Sequence, residues 1–332
     1  MNKTFLQVIK YGTMFAIGLL LLWLTFKDVD IEQTWQKIKN ANWFWVWLSV
    51  ICSVAAYFSR AYRWNMLIET AGYKPRFMAS VYAVCIAYFA NLALPRMGEV
   101  TRCGTLGKKE NIPFDVLLGT VIVERVIDVL TLLVAMLFLL LWQYDLMYAF
   151  LTQHVLKNKP LELDTIQWVL IFTATTVVVF CVFKWIMLPN NAMAKKVRGF
   201  IAGVFTGLKS VQKLKNLPLF IFHSTFIWVL YLMMVFVGFK ALQSTSMLTF
   251  NASLFILVAG GLGMTAPVQG GIGAYHLLVS AALVLFGVAY EDGLAFATLL
   301  HTAQMLQIVV LGLLALLALT LMPQATGKKT VV

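Results

Sequence analysis

Apolar runs too long for a soluble core recur along this 332-residue chain. Stretches at about 41–68, 114–142, 168–188, 218–242 and 292–321 are each as long as the roughly 20 residues that carry a helix across a bilayer core. A shorter run at 11–26 precedes them, with Lys10 placed to snorkel to the interface. Inside hydrocarbon the backbone must satisfy its own hydrogen bonds, so such runs are helices or barrel strands. Barrel strands would alternate apolar and polar residues in segments of about ten, and these do not. The composition agrees: 61% of residues are hydrophobic and 12% are charged, against about half and a quarter in an ordinary globular domain. The sequence predicts an all-α polytopic membrane helical bundle and a single integral membrane domain over 1–332.

Two apolar regions are interrupted. The first, at about 77–109, breaks at Pro95 within NLALPRMGEVTR (residues 91–102). The second, at about 248–290, breaks at TAPVQGGIGAYH (residues 265–276). Both read as re-entrant hairpins made of broken helices. The formal charge of +12 sits mostly in short loops, where it orients a membrane chain by the positive-inside rule rather than signalling nucleic acid. With the amino terminus inside, six spans also return the carboxyl terminus inside, beside Lys328 and Lys329. A basic segment at 189–216 falls inside, and the acid-bearing loops 27–40 and 143–167 fall outside. On that count the two hairpins enter from opposite sides, an arrangement found where broken helices hold a substrate near the midplane. Lys3 and Lys10 precede a first run with no small-residue cleavage site after it, so that run reads as a retained span. Trp43, Trp45 and Trp47 sit where interfacial tryptophans are expected.

The charges inside the apolar regions carry the chemistry. Arg96, Glu99 and Arg102 recur at i, i+3 and i+6, on one face of a helix. Glu124 and Asp128 are four apart, with Arg125 between them. Asp128 lies about 21 Å into its span at 1.5 Å per residue, where a lipid-facing charge costs roughly 2.5–3.5 kcal/mol. These charges must pair with one another or line a wet cavity. One reading makes them a buried ion network that pins helices. The other makes them a site whose arginines grip an anionic headgroup, since the guanidinium fork suits phosphate. Arg60 and Arg63, at the cytoplasmic end of the second span, read either as interface anchors or as headgroup recruiters. At the second break, Gly270, Gly271 and Gly273 permit a positive φ and uncovered amides aimed at an anion, or simply a tight packing turn. His276, His301, Gln304 and Gln307 read as interhelical hydrogen-bonding groups, with proton coupling the alternative. The cysteines Cys52, Cys85, Cys103 and Cys181 are dispersed, so neither a disulfide frame nor a metal site is expected. No nucleotide motif occurs, and no cofactor is expected.

The combination N-x-x-L-P…G-E-x-x-R (Asn91–Arg102), E-R-x-x-D (Glu124–Asp128) and P-x-x-G-G-x-G (Pro267–Gly273), with A-Y-R-W around Arg63, resembles the lysylphosphatidylglycerol synthase transmembrane-region family. The resemblance implies a flippase-like fold and a stand-alone member without the soluble synthase domain, in a bacterial inner membrane. It implies a translocator of an anionic phospholipid or lipid-linked headgroup, not an enzyme. The partners would be membrane lipids and, separately, a synthase or transferase. The substrate-binding set would be Asn91, Arg96, Glu99, Arg102, Glu124, Arg125 and Asp128, with Arg60, Arg63, Gln269, Gly270, Gly271, Gly273 and His276. Gln269 and His276 stand where the family often has proline and glutamate, and two residues separate Pro95 from Gly98 where many members have three. The substrate therefore need not be lysylphosphatidylglycerol itself. Two other functions fit the residues: an intramembrane transferase with Glu99 or Asp128 as base, and a non-catalytic scaffold.

Overall fold

The structure, a computed structural model, describes residues 3–27, 29–94, 97–142, 214–266 and 268–325. The expected fourth span, His154, Pro95, Arg96 and Pro267 lie outside the described residues, as does nearly all of the basic 189–216 segment. Residues 1–136 and 214–332 form one compact unit; a second, 137–213, is described only where it holds the end of α6.

Ten α-helices account for about four fifths of the described residues, and no strand occurs among them. In chain order they are α1 (Lys3–Phe26), α2 (Ile31–Lys39), α3 (Trp43–Glu69), α4 (Phe77–Ala93), α5 (Gly98–Glu110), α6 (Phe114–Trp142), α7 (Leu217–Phe239), α8 (Phe250–Thr265), α9 (Ala274–Val284) and α10 (Tyr290–Leu321). Helices α3, α7 and α10 are long and apolar enough to cross a membrane. They are the expected second, fifth and sixth spans, and the expected first and third are the single helices α1 and α6. The bundle is helical and membrane-embedded, as the apolar runs required.

Local signals set the helix ends. Asn42 Oδ1 accepts from Phe44 N (3.2 Å) and Asn216 Oδ1 from Leu219 N (3.1 Å), both at N-caps. Asn111 stops α5 in the left-handed region (φ 53°), two residues before Pro113. One segment differs from expectation: within the 27–40 loop, α2 forms on the Asp30 cap, whose carboxylate accepts from Gln33 N (3.0 Å). Glu32 in its first turn and Lys37 and Lys39 in its last complement the helix dipole.

Helices α3 and α7 run antiparallel along their lengths. Asn42 N donates to Ala241 O (2.8 Å), Ser49 Oγ to Met234 O (3.0 Å), and Ser59 Oγ pairs with His223 Nδ1 (2.9 Å). The two broken elements are hairpins, α4–α5 and α8–α9, based at opposite ends of α10. At the base of α4–α5, Arg76 binds Glu110 (2.8 Å) and Pro323 O (2.8 Å), just past the C-terminus of α10. Ala325 N reaches Lys109 O there as well (3.0 Å). At the other base, α9 feeds into the N-terminus of α10 through residues 285–289. The tips meet at mid-length of α10: a Cβ on Gly270 would lie 3.2 Å from Leu92 Cδ2 and 3.3 Å from Met305 Sδ.

Candidate functional site

The charged residues gather where α3, α5 and α6 pack. Glu124 of α6 is fully buried and faces four guanidinium groups. Its Oε1 accepts from Arg60 Nε (2.8 Å) and Arg125 Nη2 (2.9 Å) and lies 3.5 Å from Arg63 Nη2. Its Oε2 lies 3.2 Å from Arg102 Nη1. Asp128, one turn further, pairs with Arg60 Nη2, with Arg63 Nη2 (2.7 Å) and with Arg125 Nη2 (3.5 Å). Glu99 stands 4.0 Å from Arg125 Nη1. Among the described residues, four arginines therefore face three carboxylates, one positive charge in excess. Arg63 and Arg102 are as buried as Glu124, whereas the Arg125 side chain is 43% exposed and that of Glu99 30%.

Arg60, Glu99, Arg102 and Arg125 of the cluster line a cavity of about 40 Å³ with Tyr88, Asn91 and Gly98. At roughly 10–15 Å³ per water position it has room for a few waters but not for a lipid headgroup. Arg102 Nη2 is buried beside it without a hydrogen-bond partner, and Arg63 Nε and Nη1 and Arg125 Nε lack partners too. Each such buried donor costs about 1–3 kcal/mol relative to a satisfied one. A bound anion would satisfy several at once.

The break between α4 and α5 is what brings Glu99 and Arg102 to this place. Asn91 Oδ1 accepts from Gly98 N (2.7 Å), closing the interruption with a side chain. A Cβ at Gly98 would come within 2.4 Å of Ala87 O, so only glycine lets α5 turn back this closely. Arg102 then stacks over Trp64, 4.6 Å from the ring. The indole is itself fixed by Nε1 donating to Thr120 Oγ1 (2.9 Å).

Two expectations change. Arg60 and Arg63 are not interface anchors; they are 6% and 0% exposed and bind the carboxylates of α6. Helix α3 continues to Glu69, nine residues beyond Arg60, or about 13 Å at 1.5 Å per residue. Second, the glycine turn is separate from the arginine cavity, although its tip touches α4. Gly271 N donates to Val268 O (3.4 Å) and Ile272 N to Gln269 O (3.1 Å), so these amides are spent inside the turn. A Cβ on Gly273 would lie 2.7 Å from both Leu21 Cβ and Leu22 N of α1, which makes close packing its role. Gln269 and His276 also lie off the cavity. His301 Nε2 is 2.8 Å from Gly270 O, Gln304 turns to Met234 Sδ (3.4 Å), and Gln307 donates to Ser53 Oγ (3.1 Å). These are the interhelical contacts expected of such residues.

A family model described as the lysylphosphatidylglycerol synthase TM region matches residues 13–312. The chain belongs to this family. Among curated relatives, the UPF0104 membrane protein MJ1595 of Methanocaldococcus jannaschii is 25% identical over 180 residues, 53% of this chain and 51% of that protein. The UPF0104 membrane protein MJ1078 of the same organism is 28% identical over 227 residues, 68% of this chain and 91% of that protein. The match thus spans about half the length of the first relative and nearly all of the second. No solved structure matches. This member of the lysylphosphatidylglycerol synthase TM-region family is an integral membrane protein.

The structure adds residues that sequence reasoning did not single out. Arg60 Nη1 donates to the hydroxyls of Tyr88 (2.8 Å) and Tyr231 (3.2 Å). Tyr57 stacks on Tyr88 at 4.3 Å. Tyr88 was within reach, being three residues before Asn91 and so on the same helix face. Nothing local distinguishes Tyr231 in the apolar run of α7.

Proposed function

We propose that this protein moves an anionic phospholipid, or another lipid with an anionic headgroup, between leaflets, and that it acts as a transporter rather than an enzyme. The headgroup would pass the Arg60–Arg63–Arg102–Arg125 cluster while the acyl tails stay in the bilayer. One observation carries the reading: a buried cluster with one positive charge in excess keeps an unpartnered guanidinium nitrogen, Arg102 Nη2, beside a cavity. A phosphodiester brings one negative charge and oxygens that accept from guanidinium groups. Since the cavity has room only for waters as it stands, lipid passage requires it to widen. Arg125 and Glu99, the most exposed of the charged set, form the side that would yield. The basic loops place both termini in the cytoplasm under this proposal, and the membrane would be the cell's inner membrane.

The test is translocation of a panel of fluorescent lipids by protein reconstituted in liposomes. Wild type should move an anionic lipid well above the rate in empty liposomes. Arg102→Ala should return the rate to that background, and Arg102→Lys should restore only part of it, because the ammonium lacks the planar fork. If no lipid crosses faster than in empty liposomes, the proposal fails.

A further inference from the structure

The transport proposal makes no use of two buried imidazoles. His276 on α9 and His301 on α10 are 5% and 3% exposed. Their ring centroids are 4.8 Å apart and the planes are nearly perpendicular at 75°. Ionisable groups at such depth mark function by default.

The geometry fixes one proton. A carbonyl oxygen only accepts, so His301 Nε2, 2.8 Å from Gly270 O, carries its hydrogen. Tyr275 stacks on His301 (4.9 Å, 24°) and Phe26 of α1 packs on His276 (6.2 Å). His276 Nδ1 is buried without a partner. A charged imidazole has two N–H donors to satisfy, and this packing provides no acceptor at His276 Nδ1. Tyr275 is the titratable side chain packed on the pair. Helices α4, α8 and α9 and the 269–271 turn carry no Asp, Glu, Lys or Arg. On α1 the nearest charge in sequence is Lys27, just past Phe26. On α10 it is Asp292, nine residues from His301 and paired with Lys37 of α2 (2.8 Å). Among the described residues, no carboxylate pairs with either imidazole.

We propose that His276 and His301 form a proton-binding site that governs the contact between the two hairpin tips. The packed state holds the pair neutral, with His301 clamping Gly270 O. Gly270, at φ 58°, in turn sits against Leu92 and Met305. A proton taken up at His276 Nδ1 finds no acceptor in this packing. It is accommodated only when the turn moves away, which releases Leu92. The preceding residue, Asn91, caps Gly98 and lines the arginine cavity. Release of the proton restores the clamp. The consequence for lipid movement rests on the transport proposal; the tip contact itself does not.

Hydrogen–deuterium exchange in lipid nanodiscs tests the contact directly. An opened histidine titrates near 6.5. With one proton bound only in the open form, that form gains roughly tenfold between pH 7.5 and 5.5. Peptides covering 85–94 and 266–276 should therefore lose about tenfold in protection over that range, after correction for intrinsic exchange. His276→Gln should abolish the pH response, with His276→Asn as the second variant, and His223→Gln should keep it. Protection of α3 peptides at pH 7.5 verifies folding of each variant. A wild type whose protection is independent of pH, a His276 variant that responds like wild type, or a response lost in His223→Gln overturns the proposal. Translocation measured on the same samples separates the two ideas. A wild type that moves no lipid at either pH sinks the transport reading, while the exchange result still decides whether the histidines govern the tips.

Discussion

Glu124 makes the arginine cluster tolerable. Four guanidinium groups converge on a carboxylate with no access to water. Glu124→Gln keeps the shape and removes the charge, leaving four arginines facing only Asp128 and Glu99. Breaking a buried pair in this way typically costs about 3–5 kcal/mol, so thermal unfolding in detergent should begin many degrees lower. Glu99→Gln, at a side chain 30% exposed and 4.0 Å from its arginine, should cost less than about 1 kcal/mol. If the two variants unfold alike, Glu124 is not the keystone of the cluster. At this scale the sequence was partly legible. The depth of Glu124, Arg125 and Asp128 in an apolar run announced that they need partners, because lipid provides none. Which arginines those partners are was not legible, because Arg60 and Arg63 lie near the end of an apolar run, where snorkelling is an equally good explanation.

Hairpin α4–α5 places a cation where no continuous helix could, and its closeness rests on Gly98. Gly98→Ala drives a methyl group to within 2.4 Å of Ala87 O, and relieving such overpacking costs about 1–3 kcal/mol. Gly104→Ala, on the same helix with nothing within 4 Å of the added carbon, should be neutral or slightly stabilising, since alanine is the better helix former. The comparison is read in thermal stability and in lipid translocation. Gly98→Ala should lower both and Gly104→Ala neither. Pro95 and the glycines at 270–273 marked both breaks in the sequence. The use of each break did not follow from them. A glycine-rich turn offers amides to an anion or closeness to a neighbouring helix, and only the position of α1 against Gly273 decides for closeness.

Across the whole molecule, two hairpins based at opposite ends of α10 meet halfway along it. The apolar runs foretold a helical membrane bundle with two broken elements, because a membrane leaves the backbone few choices; that the two tips meet did not follow from them. Side-chain partners 64 or 171 residues apart, such as Arg60 with Glu124 and with Tyr231, carry no comparable signal in one sequence. The proposed orientation has a direct check. In a cysteine-free background, single cysteines at Gln33 and Ser244 should react with an impermeant maleimide added outside the cell. Those at Lys108 and Gln324 should react only once the cytoplasm is opened, and a reversed pattern would invert the orientation. The ion cluster also bears on how the protein is made. Arg60 leaves the ribosome 64 residues before Glu124, which at 5–20 residues per second is roughly 3–13 s. For that interval α3 carries two arginines whose carboxylates do not yet exist. Until α6 arrives, each of these charges that faces lipid costs roughly 2.5–3.5 kcal/mol. The charges of α3 are therefore matched only when α6 joins it, and a ribosome that pauses between the two helices lengthens the stage at which Arg60 and Arg63 stand unpaired.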